Sequence, residues 1–565
     1  MRFVHWLEQF TLRCFGFVPK NRSRRSTSVG RLRRSQETSS QLCTAEALES
    51  RVLLTAISVD DSGGADFTTI QAAVNSASPG DVITVNDGTY NEIVNLNLMG
   101  SAIGGSSGDL VIQAANSRQA IWNDASTALT ANGLSGNYTI SGFDMGTAGV
   151  MNVSGLITFN DNQFDALNGV SGISVNLNGT ANMAVHVIDS DFSSAGSQIV
   201  GAINVQMNTS AGGSLDLVVD QSNFTGLQQS GISFNTQDRS ALGAGTLTAR
   251  ITDNIFSGRT GGGEEIEMFL GGNNSDGFFA SVLIDGNQTN IGGAPSTPTD
   301  AINLDVDGTN TTALVAITNN MLNHHVDGIV LDSESTYLSG LFNAWIDGNT
   351  LGDVEQEGIH IRPFNDPAGA PAVWNMLVTG NTLTNINSDL SGGHGGIEIE
   401  ANDGDNDDYT LNVDINGNNV TMASGSPSAP YFVTTTPLSG TNDAIVNIER
   451  DIASNNTGSV TIDDPQSIVT MPAANAVTVR NEVRTVSGFV FNDSNNDGDQ
   501  TGEAGVGGVV VTLTGTQSIG GSINLTTFTD INGNYAFPAL VQSSSAESTT
   551  KVPHRASISS RFGSR

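Results

Sequence analysis

The sequence predicts an all-β chain of stacked repeats with a second, small β domain near its C-terminus, and three observations carry that reading. Glycine occupies 65 of 565 positions and only 14% of residues are charged, a composition that suits short strands joined by tight turns better than helices. A short segment closing on one side chain recurs at Phe164, Phe192, Phe224, Phe256, Thr289, Leu322, Leu351, Leu383 and Val420, at intervals of 28 to 37 residues. Each unit carries another strand, as in "SGISVNLN", "SGISFNTQ", "DGIVLDSE", "EGIHIRPF" and "GGIEIEAN". A fixed period of this size with two or three β segments per unit marks units that bury their apolar faces only by stacking.

The leader comes first. Residues 1–51 hold ten basic against four acidic side chains, and "RSRRSTSVGRLRRS" is followed by "AEALESRVLLTA". Residues 1–56 are therefore read as a basic leader or targeting segment outside the repeat. Leu48, Glu49, Arg51, Leu53 and Leu54 resemble the L-E-P-R-x-L-L signal near the start of many planctomycete surface and secreted proteins, with Ser50 in place of the proline. That resemblance implies export, to the cell surface or beyond. The two cysteines, Cys14 and Cys43, lie in this leader, so no disulfide framework braces the body. No apolar run is long enough for a transmembrane helix.

Residues 52–550 hold eight basic against 53 acidic side chains. Such a field repels nucleic acid and attracts divalent cations. Within the body, period-2 alternation turns Ile173, Ile203, Ile232, Ile266, Ile302, Ile329, Ile359 and Ile397 inward as one column. Val175, Val205, Phe234, Met268, Leu304, Leu331, Ile361 and Ile399 form a second. Asn recurs two places before the closing residue at 162, 254, 287, 320, 349, 381 and 418, with Ser190 and Ser222 in the remaining units. Side-chain amides at equivalent places in successive coils can hydrogen-bond as a ladder.

This pattern resembles a right-handed parallel β-helix of the pectate lyase-like superfamily over residues 57–480. The opening "DDSGGADFTTIQAAVNSASPGDVITVNDGTYNE" is similar to that of pectin methylesterases, in which a short helix, here near Phe67 to Ala77, caps the first coil. A capped end protects a solenoid from edge-to-edge pairing. The catalytic strings of those esterases do not occur, "IWND" is a poor match to the pectate lyase segment, and "GGHGG" supplies His394 without the aspartate pair of a polygalacturonase. His394 is accordingly read as a loop histidine.

In this register His360 and Arg362 point outward, His360 beside Asn303, Val330 and Glu398, and Arg362 beside Asp305, Asp332 and Glu400. Arg362 is the only Lys or Arg between Arg259 and Arg450. Asp305, Asp332, Arg362 and Glu400, extended by Glu267, form a vertical ladder. If the wall is catalytic, Arg362, His360 and Asp332 carry the chemistry, and Glu267, Asp305, Glu398 and Glu400 contact substrate. The family's lyases hold calcium on acidic residues and use a basic side chain to take a proton, which is what the resemblance implies here. Otherwise the arginine relieves repulsion along a carboxylate stack, each exposed pair being worth about 0–1 kcal/mol.

The segment 485–540, "VSGFVFNDSNNDGDQTGEAGVGGVVVTLTG" followed by "TTFTDINGNYAFPAL", resembles the B-type domains of serine-aspartate repeat and collagen-adhesin surface proteins, small prealbumin-like β-sandwiches. Within it Asp493, Asn495, Asp497, Asp499 and Glu503 have the spacing of a calcium loop, with Gly498 at the turn. The sandwich is assigned to 481–540 and reads as cut short, the Ser-rich basic stretch 541–565 being taken as a disordered tail. Residues 402–408, "NDGDNDD", are a weaker calcium candidate. The expectation is an exported, calcium-stabilised surface protein whose β-helix contacts polysaccharide or a cell-surface or matrix protein. The alternative is a polysaccharide lyase or glycoside hydrolase acting on an acidic glycan.

Overall fold

The computed structural model describes residues 56–562 except for internal segments, among them 237–244, 334–339, 364–371, 404–408, 471–482 and 494–499. The leader expected at 1–56 lies almost wholly outside the described residues. One long wall of the solenoid is a parallel sheet in which each strand pairs with its counterpart one repeat later: Asn182–Ile188, Ser214–Asp220, Thr246–Thr252, Phe279–Asp285, Thr311–Thr318, Gly340–Asp347, Ala372–Thr379 and Tyr409–Asn416. Each coil then turns into a short second strand, such as Thr350–Val354, and a third, such as Ile359–Arg362. All of these pair in parallel from coil to coil.

Both inward columns stand as the alternation predicts. Ile302, Ile329, Ile359 and Ile397 are consecutive ladder partners, as are Leu304, Leu331, Ile361 and Ile399, and all are buried. The closing residues stack too, with the Phe164, Phe192, Phe224 and Phe256 rings 4.7–5.0 Å apart and nearly parallel. The asparagines form the expected ladder. Asn254, Asn287, Asn320, Asn349, Asn381 and Asn418 each donate Nδ2 to the Oδ1 of the next coil's asparagine at 2.9–3.1 Å, ending on Asn456. Ser190 and Ser222 keep the run of backbone bonds between Asn162 and Asn254.

The cap is the helix Ile70–Ser76, with Ile70, Ala73 and Val74 buried. Its free N-terminal amides are met by the Thr69 hydroxyl, which accepts from Ala72 N, and by Glu92, whose carboxylate accepts from Ile70 N at 2.6 Å and Gln71 N at 2.9 Å.

The C-terminal part is a sandwich of two three-stranded antiparallel sheets. Val483–Asn492 pairs with Asn534–Val541 and Ala556–Phe562, and Val510–Thr516 pairs with Ser522–Phe528 and Glu547–Thr549. Val490, Val511, Leu513, Leu525, Tyr535 and Phe537 fill its core. Strand pairing thus continues past residue 540, where the sequence reading placed only a tail. The Ala556–Phe562 strand lies at an edge of its sheet, and an edge strand can be short and polar without an apolar signature.

The sandwich packs on the long solenoid wall. Phe528 meets Leu156 and Ala184, and Asp216 Oδ2 accepts from Phe528 N and Thr527 Oγ1, both at 3.0 Å, beside His186 Nε2 at 3.2 Å. Asp216 and His186 are both buried. Asp216→Ala should strip two buried donors of their acceptor and cost about 2–4 kcal/mol. Hydrogen exchange would read this as faster exchange across Ser522–Phe528, and unchanged protection there would contradict the docking.

Candidate functional site

The site grows from the third strands of four successive coils, Ile302–Val306, Ile329–Asp332, Ile359–Arg362 and Ile397–Asp403. Their outward residues fall in the columns Asn303, Val330, His360, Glu398 and Asp305, Asp332, Arg362. These side chains leave the core yet are covered: Asp305, Asp332 and Glu398 are 3–4% exposed and His360 is 7% exposed. An exposed decorated wall was expected; at a coil spacing of about 4.8 Å, long side chains roof over their neighbours instead.

Two placements differ from the expected ladder. Glu267 pairs in register with Asn303, so it belongs to the His360 column, where its carboxylate accepts from Ser230 Oγ at 2.9 Å and Ser233 Oγ at 3.3 Å. Glu400 reaches His360, with Oε2 3.2 Å from Nε2. Arg362 is joined to Asp332, donating Nε to Oδ2 at 3.0 Å with a second contact from its terminal nitrogen. Within that pair the arginine side chain is 38% exposed and the aspartate 6%.

A further acidic column precedes these strands. Asp300, Asp327 and Glu357 each stand two residues before an inward isoleucine, and the first two carboxylates receive the next coil's amide: Asp327 N donates to Asp300 Oδ1 at 3.2 Å and Glu357 N to Asp327 Oδ1 at 2.9 Å. A glycine follows Glu357 because the coils approach closely there: a Cβ at Gly358 would lie 2.6 Å from the Gly396 carbonyl oxygen. His394, on the loop before Ile397, contacts Glu357 Oε1 through Nδ1, and its backbone amide donates to Ser428 Oγ at 3.2 Å. Glu398 Oε2 accepts from Gly395 N at 2.6 Å. The histidine read as a loop residue does sit on a loop, and its ring joins the cluster.

Packing these carboxyls together shifts their titration. Burial pushes Asp300 up to about 6, with the Asp327 charge adding to the effect. Burial also raises Asp327, helped by its hydrogen bond to Glu357 and that group's charge, and it raises Glu357 and Glu398. For His360 burial alone would favour the neutral ring, but the hydrogen bond to Glu400 and the charges of Glu357, Glu398 and Asp327 outweigh it and raise its pKa. His325 is the contrast, a buried ring held by Thr289 Oγ1 at 2.7 Å and the Thr299 carbonyl at 3.0 Å, pushed down to about 4 by burial.

Because the folded pKa of Asp300 lies above its unfolded value, the carboxyl destabilises the fold progressively as pH rises from about 4 through 6. Asp300→Asn keeps the acceptor for Asp327 N. It should stabilise the protein by about 3 kcal/mol at pH 8 and by less than about 1 kcal/mol at pH 4. Equal effects in denaturant melts at both pH values would contradict this.

The calcium-loop residues Asn495, Asp497 and Asp499 lie outside the described residues, as do 404–408 of the second acidic run; Asp493 and Glu503 flank the first gap. Among the described residues, no helix is long and apolar enough to cross a membrane.

Residues 484–559 match the family model of the SdrD B-like domain, a longer span than the 485–540 read from sequence. No curated protein matches the chain. Among solved structures the chain is similar to the Siphovirus 9NA tailspike receptor binding domain at 11% identity and a TM-score of 0.30, over 86% of this chain and 88% of that one; so loose a superposition carries no functional argument. The chain is thus a parallel β-solenoid joined to a small antiparallel β domain that matches the SdrD B-like domain.

Proposed function

We propose that this is a cell-surface binding protein whose solenoid wall around Arg362 and His360 contacts glycans or proteins, and whose SdrD B-like domain is stabilised by calcium at Asp493–Glu503. The observation that carries the reading is the match of residues 484–559 to a domain of adhesin type. The body's excess of carboxylates suits calcium and disfavours nucleic acid. Arg362, a part-exposed cation amid buried carboxylates, is the group an acidic ligand would meet first.

One observation favours a second reading, an enzyme acting on acidic polysaccharide. Asp327, half-buried, and Glu357, buried, are carboxyls held in contact beside a histidine with both pKa values raised, and titratable groups perturbed in this way are the raw material of acid–base catalysis. In that case the proton would move through this pair or His360, and Arg362, bound to Asp332, would hold the substrate's charge.

Incubating the purified chain with a panel of uronic-acid glycans separates the two readings: retention without unsaturated or shortened products supports binding, and products support the enzyme. Arg362→Gln should lower stability by about 2 kcal/mol, more than an exposed pair would cost, since it leaves Asp332 buried without its guanidinium. It should weaken glycan retention at least tenfold. Unaltered retention would remove Arg362 from the contact surface.

A further inference from the structure

The cluster behind Arg362 is more than a row of acids. It contains two imidazoles among carboxylates, and the ligand atoms of Glu357, His394 and Glu398 lie within 4.8 Å of one another. The same holds for Asp327, Glu357 and His360, and for His360, Glu398 and Glu400. We propose that Glu357, His394 and Glu398 bind a divalent transition metal of the zinc class, with His360 beside them as the outer partner that orients the carboxylates.

Two features support this. Stacked carboxylates on adjacent coils repel one another, and Glu357 and Glu398 are only 5% and 3% exposed, so a proton or a cation must share the space. The donors are held by the backbone: Glu357 by the hydrogen bond its amide donates to Asp327 Oδ1, Glu398 by its place at the start of the Ile397–Asp403 strand, and His394 by the hydrogen bond its amide donates to Ser428 Oγ. Bond lengths of about 2.0–2.2 Å to nitrogen and oxygen could therefore be reached by side-chain rotation, the ion inserting where His394 Nδ1 now meets Glu357.

One imidazole with two carboxylates also selects the metal. Calcium and magnesium take six or more oxygens, whereas imidazole favours the zinc class. Three protein ligands leave a fourth position open, and the His394 side chain, 25% exposed, marks the way in. His360, anchored 3.2 Å from Glu400, has a ring nitrogen within 4.8 Å of carboxylate oxygens of both Glu357 and Glu398, the position of a second layer that orients carboxylate ligands. The site is independent of whether the wall binds glycan.

The test is zinc titration by calorimetry on the full chain, stripped with chelator, at pH 7.5 in millimolar calcium to saturate any oxygen-only site. One zinc per chain is expected. Affinity should fall at least tenfold in His394→Ala and in Glu398→Gln, and stay unchanged in His324→Ala, a histidine that pairs instead with Asp353. Cobalt in place of zinc should give the intense visible absorption of a four-coordinate site, lost in His394→Ala. Circular dichroism on each variant confirms folding, and His394 sits on a loop where truncation leaves the strands intact. No zinc uptake by the wild type, or equal uptake by His394→Ala, overturns the proposal.

Discussion

Ile329→Asp is expected to unfold the middle of the solenoid, at a cost of several kcal/mol. Ile329 is fully buried and stacked between Ile302 and Ile359 in one unbroken column. A carboxylate placed there has apolar neighbours above and below. It must either ionise at a high desolvation cost or push its coil off the stack. Because each coil of a solenoid is supported mainly by its neighbours, the damage should spread to the flanking coils before it reaches either end. Chemical denaturation with hydrogen exchange reads both effects, and unchanged stability would reject the register of the whole wall.

Asn349→Ala should be nearly as severe although it removes only an amide. Asn349 is fully buried and its side chain makes four hydrogen bonds: Nδ2 donates to the Ile317 carbonyl at 2.8 Å and to Asn381 Oδ1 at 3.0 Å, and Oδ1 accepts from Asn320 N at 3.0 Å and Nδ2 at 2.9 Å. Truncation strands partners on both adjacent coils. At about 1–3 kcal/mol for each buried group left unsatisfied, a loss of about 4 kcal/mol or more is expected. Asn349→Ser should recover part of it, since Ser190 and Ser222 fill the same place near the start of the ladder. Equal stability of the alanine and serine variants would show that the ladder contributes little.

Both predictions concern features legible in the sequence, and the reason is geometric. Strand alternation and a repeat near 30 residues determine which side chains meet in a column, so the isoleucine columns, the asparagine ladder and the pairing of His360 with Glu398 could be read directly. What lay beyond reach depends on rotamers and on loops that fold back. Glu400 sits level with Arg362 in sequence but turns to His360, and His394 crosses from a loop to Glu357, 37 residues away. The acidic column of Asp300, Asp327 and Glu357 did leave a signal, an acid two places before the inward isoleucine in "DAINL", "DGIVL" and "EGIHI". The docking of Phe528 N on Asp216, 312 residues apart, left none, because a buried aspartate on an outward face reads like any solvated one.

The most direct test of the surface-binding account is hydrogen exchange of the full chain, free and saturated with a uronic-acid glycan that it retains. The account predicts slowed exchange centred on Ile329–Asp332, Ile359–Arg362 and Ile397–Asp403, with the long wall under the sandwich unchanged. Protection confined to residues 484–559, or spread along the opposite wall, would contradict it.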